Sequence, residues 1–282
     1  MKAFFKRNKY TPHEIADALV VDLINLYEHL SFICLNIFGK YSYLKKNKNL
    51  KNIHQHKRIF IIGNSPSINQ FDLKKLKNDI VIMVNRSFNH KDYENIKPNY
   101  HIIVDPKLAN GKWPIEYLDI ILKKNPSVTL LLNSNWYYLE KFKKFKNMQN
   151  VYWVKNSSIS LLLNNYNNNL STKFNSSGGV VGVGLSASIY FGSKEIYFLG
   201  VELNGVINLL ANKDSHFGGK DPDYENHTSF EWARDLNINS RGIRKMTRFC
   251  DLCTKNNIKL TNLTKTGLMD FIPRDNFDNF FN

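Results

Sequence analysis

Acidic residues are scarce in this chain. Its 282 residues hold 24 Asp and Glu against 39 Lys and Arg, a formal net charge of +15. Such an excess suits a phosphate-bearing ligand, a nucleic acid or an anionic membrane face, unless it reflects only a bias toward Lys and Asn. Cysteine is scarcer still. Cys34, Cys250 and Cys253 do not make a disulfide framework, and the chain reads as cytosolic. Cys250-x-x-Cys253 has no second ligand pair near it, whereas structural zinc takes four ligands. With no His-Glu-x-x-His either, the pair is read as buried cysteines of a helix.

A long uninterrupted apolar run is also missing. No apolar h-region follows the basic start, so no secretory signal is read there. The nearest thing to a membrane span, His13 to Lys40, is broken by Asp17, Asp22, Glu28 and His29. A spanning helix wants about 20 mostly apolar residues with few charges. The stretch is read as an amphipathic helix of period near 3.6, which either packs on the main domain or lies on a membrane surface. No fixed-period repeat stands out.

What the chain does have is 43% hydrophobic and 13% aromatic residues, enough for a sizeable core. A basic run, Tyr43 to Lys57, reads as a linker. The expected division is therefore 1–56, amphipathic helix and linker, and 57–282, the main domain. From Arg58 onward, short apolar runs ("RIFIIG", "DIVIMVN", "NYHIIVD", "VTLLLN", "VYWV", "KEIYFLGVEL", "IKLTNL") follow one another. Runs without polar alternation suggest strands covered on both faces. Helix candidates lie between them: Gln70 to Lys77, Ile115 to Asn125, Trp136 to Lys146, Val180 to Phe191 and Ser240 to Asn256. The Asn-rich stretch from Leu162 to Ser177 reads as a mobile loop or a short helix and turn. The pattern predicts an α/β, Rossmann-like, doubly wound and mainly parallel sheet.

Ligands of such sheets sit beyond the carboxyl ends of the strands. Four runs end in hydrogen-bonding groups: Gly63-Asn64-Ser65-Pro66-Ser67, Asn85-Arg86-Ser87, Asp105-Pro106, and Glu202 with Asn204. Ordinary turn chemistry explains any one of them; four on one edge point to a site. Glycine lets backbone approach an oxyanion, and a helix behind the loop would add N–H groups and a dipole. "SSGGVVGVG", with Ser176, Ser177 and Gly178, repeats the device, or else packs a helix closely on the sheet. His216 sits in a polar, glycine-rich loop, and a histidine there suits a general base, with Asp214 or Asp221 to orient it. Arg86, Arg241, Arg244, Arg248 and Arg274 are either phosphate contacts or a solvated basic face, and the middle three share one side of a helix.

These motifs, in this order, resemble the bacterial sialyltransferases of glycosyltransferase family 42. "IFIIGNSPSINQFDLKKLKNDIVIMVNRSF" is similar to their opening strand, Gly-Asn-Gly-Pro-Ser loop and second strand ending in Asn. "IIVDP", "SSGGVVGVGLSASIYFGSKEIYFLGVEL", "KDSHFGG" and "KNNIKLTNLTKTGLMDFIPR" resemble later segments, over roughly Arg58 to Pro273. The same loop occurs in a wider group of surface-polysaccharide proteins and in the MptE-like, pterin pyrophosphokinase-like family. The resemblance implies a metal-independent glycosyltransferase with no cofactor, taking a CMP-sugar as co-substrate. It would act on a cell-surface glycan acceptor in lipopolysaccharide or capsule assembly. It makes His216 the base, and Gly63, Asn64, Ser65, Pro66, Ser67, Asn85, Arg86, Asp105, Ser176, Ser177, Gly178, Glu202 and Asn204 the nucleotide and donor site. Two departures stand out: Asp105 replaces the family's Asn, and no tyrosine stands between Asn204 and His216. An ATP-dependent pyrophosphokinase is a second reading, with Asp105, Glu202 and Asp214 as magnesium ligands; a non-catalytic accessory protein is a third. Nucleic acid is not expected, since no motif of a known module appears. Contact with anionic membrane, at its cytoplasmic face, and self-association remain open.

Overall fold

A computed structural model describes residues 11–162, 166–219, 221 and 224–281. The apolar runs form strands because each is too hydrophobic to leave a face in water. They are β1 Arg58–Ile62, β2 Ile80–Val84, β3 Tyr100–Ile103, β4 Thr129–Asn133, β5 Val151–Ser158, β6 Lys173–Ser176, β7 Glu195–Leu199 and β8 Lys259–Asn262. All pair in parallel, in the order β6-β5-β4-β3-β2-β1-β7-β8. In β1, Ile59, Phe60, Ile61 and Ile62 are all fully buried. Ile59 and Ile61 enter one core layer, Phe60 and Ile62 the other. A parallel sheet is stable only with both faces covered, and here both are.

The longer helices are α1 Pro12–Ile37, α2 Tyr117–Lys124, α3 Gly179–Tyr190 and α4 Ser229–Lys255. Val183 and Leu185 of α3 and Met246, Phe249 and Leu252 of α4 cover one face. Leu118 and Ile121 of α2 cover the other, joined by Leu73, Leu76, Phe142 and Phe145 from short turns. From β1 the chain steps outward through β2 to β6, then returns through α3 to lay β7 on the opposite side of β1. The strand order therefore reverses between β1 and β7, and a crevice opens at their carboxyl ends.

Several elements differ from the sequence reading. Gln70 to Lys77 and Trp136 to Lys146 do not form α-helices. They lie in tight 3-10 turns, at Pro66–Gln70, Leu73–Asn78, Ser134–Trp136 and Glu140–Phe145. Asp72 and Asn133 drive two of these turns, each accepting from the backbone N–H two residues on. The helix expected from Ser240 begins at Ser229, where Thr228 and Glu231 form a reciprocal capping box. The Asn-rich stretch contains the edge strand β6. Its residues Lys-Phe-Asn-Ser are too polar to signal a strand, and Asn167 holds it by donating to the Lys173 carbonyl. The basic run after α1 is not loose. Ser42–Leu50 is a 3-10 segment buried at Leu44, Asn47 and Leu50. Asn47 donates to the carbonyls of Trp153 and Leu170, both at 2.7 Å.

Candidate active site

The crevice is built outward from Gly63. A side chain there would collide with the carbonyl oxygen of Gly200, so the ends of β1 and β7 come as close as only glycine permits. The Gly63 N–H donates to Leu199 O at 2.8 Å, and the Ser65 N–H to Gly200 O at 3.1 Å. Pro66 then opens a 3-10 turn of five residues. The helix dipole expected behind the loop is thus replaced by side chains and a single tight turn.

Asn85 ends β2 in the left-handed region, φ 47°, a conformation Asn tolerates better than most residues. His101 of β3 supports it from below. Its Nε2 lies 2.8 Å from the Asn85 carbonyl and its Nδ1 3.1 Å from the Tyr93 hydroxyl. Burial pushes the His101 pKa down to about 4, so the ring is neutral, its Nε2–H donating and its Nδ1 accepting.

The loop with His216 folds over this floor. Phe217 N–H donates to Asn64 O at 2.8 Å, and Asn69 Nδ2 donates to Phe217 O at 3.2 Å. His216 Nε2 lies 3.3 Å from Asp221 Oδ2, and an Arg86 guanidinium nitrogen lies 2.9 Å from the same oxygen. The Lys107 ammonium is 4.0 Å away. Asp221 is buried at 4% exposure, so one desolvated carboxylate organises a histidine and two cations. Trp113 packs beside both cations, with Arg86 at 5.3 Å and Lys107 at 5.6 Å from its ring.

Around this group, Asn64 Oδ1, Ser67 Oγ, Asn85 Oδ1, Ser87 Oγ, Ser215 Oγ and His216 Nδ1 are buried with no hydrogen-bond partner among the described residues. Buried polar atoms are nearly always paired. A cavity of about 150 Å³ lies here, lined by Asn64, Arg86, Tyr117 and His216 among others. Of the residues with unpaired atoms, Asn64 and His216 line the cavity, and the others lie within a few residues of its lining along the chain.

Gly63, Asn64, Ser65, Pro66, Ser67, Asn85, Arg86 and His216 therefore come together as one wall and floor. Asp105 serves the site indirectly: its carboxylate accepts from the Lys107 N–H at 2.9 Å and caps the turn that carries Lys107. Ser176 accepts from Gly178 N–H, while Ser177 Oγ meets Met246. They shape the entry to α3, whose N-terminus lies at the same edge of the sheet. Glu202 is buried beside Gly267, its carbonyl accepting from Leu268 N–H at 2.7 Å. Asn204 precedes the turn Gly205–Leu210 that leads to the His216 loop.

Of the two carboxylates weighed as partners of His216, the structure selects Asp221. Asp214 is exposed, and among the described residues only its backbone carbonyl is engaged, by Asn208. Asp105, Glu202 and Asp214 do not form a magnesium set, and among the described residues no three metal-ligating side chains cluster. The expectation that the chain holds no Asp-x-Asp motif is wrong: Asp221-Pro222-Asp223 is one, and its last two residues lie outside the described ones. Two of the three stripe arginines, and Arg274, are engaged within the protein. Arg241 pairs with Asp17 and Arg244 with Glu14 of α1, and Arg274 donates to the carbonyls of Thr264, Thr266 and Gly267. Cys250 and Cys253 are buried in α4, and burial pushes both thiols up, Cys253 to about 12. Lys107 and Trp113 escaped the sequence reading as site residues, while Ser87 was named there only as part of a strand end. Lys107 follows Asp105 at two residues and was within reach of the strand-end rule; Trp113 carried no local signal.

A doubly wound, Rossmann-like sheet with a polar crevice at its switch point is the class this architecture defines. The family model described as 6-hydroxymethylpterin diphosphokinase MptE-like matches residues 35–206, and the chain belongs to that family. No curated protein matches it. Solved structures that resemble it include the sialyltransferase CstII from Campylobacter jejuni with cytidine-5'-monophosphate. That likeness has 16% identity and a TM-score of 0.44, and covers 78% of this chain and 85% of the other. The same enzyme with CMP-3FNeuAc gives 17% identity and a TM-score of 0.40, over 77% and 86%.

Proposed function

We propose that the protein is a nucleotide-dependent transferase in which His216, held by Asp221, deprotonates an acceptor hydroxyl. The observation that carries this reading is the His216–Asp221–Arg86 group over the unpaired polar atoms of Asn64, Ser67, Asn85 and Ser87. With Nε2–H donated to Asp221, the buried Nδ1 of His216 keeps its lone pair for a substrate proton. The Ser67 and Ser87 hydroxyls and the Arg86 guanidinium are the donors that would meet the phosphate, because developing negative charge needs preorganised dipoles.

The donor in this reading is a CMP-sugar and the acceptor a hydroxyl of a surface glycan. The hydroxyl oxygen attacks the anomeric carbon, its proton passes to His216, and the carbon–oxygen bond to phosphate breaks with CMP taking the electron pair. Configuration inverts, and no resident metal or cofactor takes part. The cytoplasm is the proposed compartment, in keeping with the free thiols of Cys34, Cys250 and Cys253.

One observation favours a second reading. The family match spans the Gly63 loop, Asn85 and Asp105 but ends before His216. Its printed description fits pyrophosphoryl transfer from ATP to a pterin hydroxymethyl group, in which the same base would serve. Purified protein is to be tested by thermal shift against CMP, UDP, GDP and ATP, and by turnover of CMP-sialic acid with and without EDTA. The first reading expects a CMP-specific shift, since a ligand of the folded state raises stability by mass action. It also expects turnover that survives EDTA and falls at least a hundredfold in His216→Ala. Magnesium-dependent AMP release from ATP would establish the second reading instead. Full activity in His216→Ala would remove the base from both.

A further inference from the structure

Helix α1 is mounted inside out. All four of its carboxylates face the body of the protein, and each has a partner there. Glu14 pairs with Arg244, Asp17 with Arg241 and Glu28 with Lys173, while Asp22 accepts from the Ser160 hydroxyl at 2.7 Å. Of its apolar side chains only Ala18 and Phe32 are buried. The opposite side is mainly apolar and exposed: Leu23 is 65% exposed, Tyr27 72%, Leu30 58% and Ile37 77%. An amphipathic helix normally does the reverse, burying its apolar side in the core.

We infer that α1 is a membrane-surface element, its apolar half lying in the headgroup region of an anionic bilayer with the catalytic domain above it. Three features favour lipid over a second copy of the chain. First, the apolar arc is wide. At about 100° per residue, Ile24 and Ile33 lie roughly 180° apart, and no charged side chain falls between them on that side. A helix pair buries a narrower stripe and would leave the flanks of such an arc wet. Lipid covers a half-cylinder without remainder.

Second, the sequence flanks are basic. Lys2, Lys6, Arg7 and Lys9 precede the helix, and Lys40, Lys45, Lys48 and Lys51, all exposed, follow it. Anionic headgroups attract such flanks. Third, α1 itself carries no Lys or Arg, so its outer edges lack the paired charges that set register between two helices. The net charge of +15 points the same way. The helix is long and apolar enough to cross a membrane, but in the docked pose its four carboxylates are engaged by the body, which suits a helix lying on the surface.

The inference does not rest on the transferase reading. Its test is co-sedimentation of the full chain with phosphatidylcholine vesicles, alone and with one quarter phosphatidylglycerol. Binding is expected to the anionic vesicles and to weaken at least tenfold without phosphatidylglycerol or in Leu23→Gln/Leu30→Gln. Both positions are exposed, and an unchanged melting temperature would show that the fold is intact. Lys45→Gln and Lys48→Gln should each cost about fivefold. Failure to bind either vesicle, or equal binding by the Gln pair, would overturn the inference. A dimer in sedimentation velocity that Leu23→Gln/Leu30→Gln dissociates, with no vesicle binding, would assign the face to a second copy.

Discussion

His101 and His216 both lie near the end of β2 and serve different ends. His101 is wholly enclosed and supports the Asn85 carbonyl, while His216 reaches the crevice with Asp221 behind it. Their surroundings set this, not their identity. His101 lies in a run read only as a strand, and nothing local reveals that its ring will stand under a left-handed Asn. His216 was legible because a histidine in a Gly-rich polar loop has few structural reasons to be there. Its partner was legible only as one of two carboxylates, since pairing is settled by how the loop folds onto Asn64. The buried state of His101 has a measurable consequence. Its folded pKa of about 4 lies below the ordinary histidine value of 6.5. Between those values the unfolded chain binds a proton that the folded chain refuses. The stabilisation is complete above about pH 6.5 and is lost as pH falls toward 4, amounting to a loss of about 2 kcal/mol by pH 5. Urea unfolding at pH 7, 6 and 5 should show that decline, and His101→Gln should flatten it. An unchanged slope in the variant would place the titration elsewhere.

At the level of elements, the apolar runs were readable because a strand buried on both faces leaves a continuous hydrophobic signal. β6 and the 3-10 turns were not, because side-chain hydrogen bonds and tight turns hold them rather than periodicity. The strand-end rule located the crevice, since β1 and β7 meet where the order reverses. Two glycines separate the roles that glycine plays. At Gly63 a Cβ would strike the Gly200 carbonyl, whereas at Gly242, inside α4, it would meet nothing within 4 Å. Gly63→Ala should lower stability by roughly 1–3 kcal/mol through overpacking and abolish any nucleotide-induced shift. Gly242→Ala should raise stability by about 0.5–1 kcal/mol, as an alanine in a helix interior does. Denaturant midpoints measure both. A neutral Gly63→Ala would mean that the two strand ends are not held together by that contact.

At the scale of the whole molecule, the positive charge is not one ligand-binding surface. Part of it holds an acidic helix side, through Arg241, Arg244 and Lys173, and leaves an apolar side outermost. From sequence, the helix in this region admitted two readings, packing or membrane. Both are physically compatible, because the two sides of one helix meet different surroundings; a linear pattern gives the period but not which side faces in. The docking of α1 therefore rests on charge more than on apolar burial, and salt should weaken it. Partly exposed ion pairs contribute about 0.2–1 kcal/mol each, so three give on the order of 1–2 kcal/mol, close to a tenfold bias toward the docked helix. Limited proteolysis tests this. Cleavage within α1 should accelerate several-fold between 50 mM and 500 mM NaCl, where screening shortens from more than 10 Å to a few. Arg241→Gln/Arg244→Gln should be cleaved quickly at both salts, while cleavage within the sheet stays slow throughout. If α1 resisted protease equally in the double variant, Ala18 and Phe32 would be the main anchors and the ion pairs incidental.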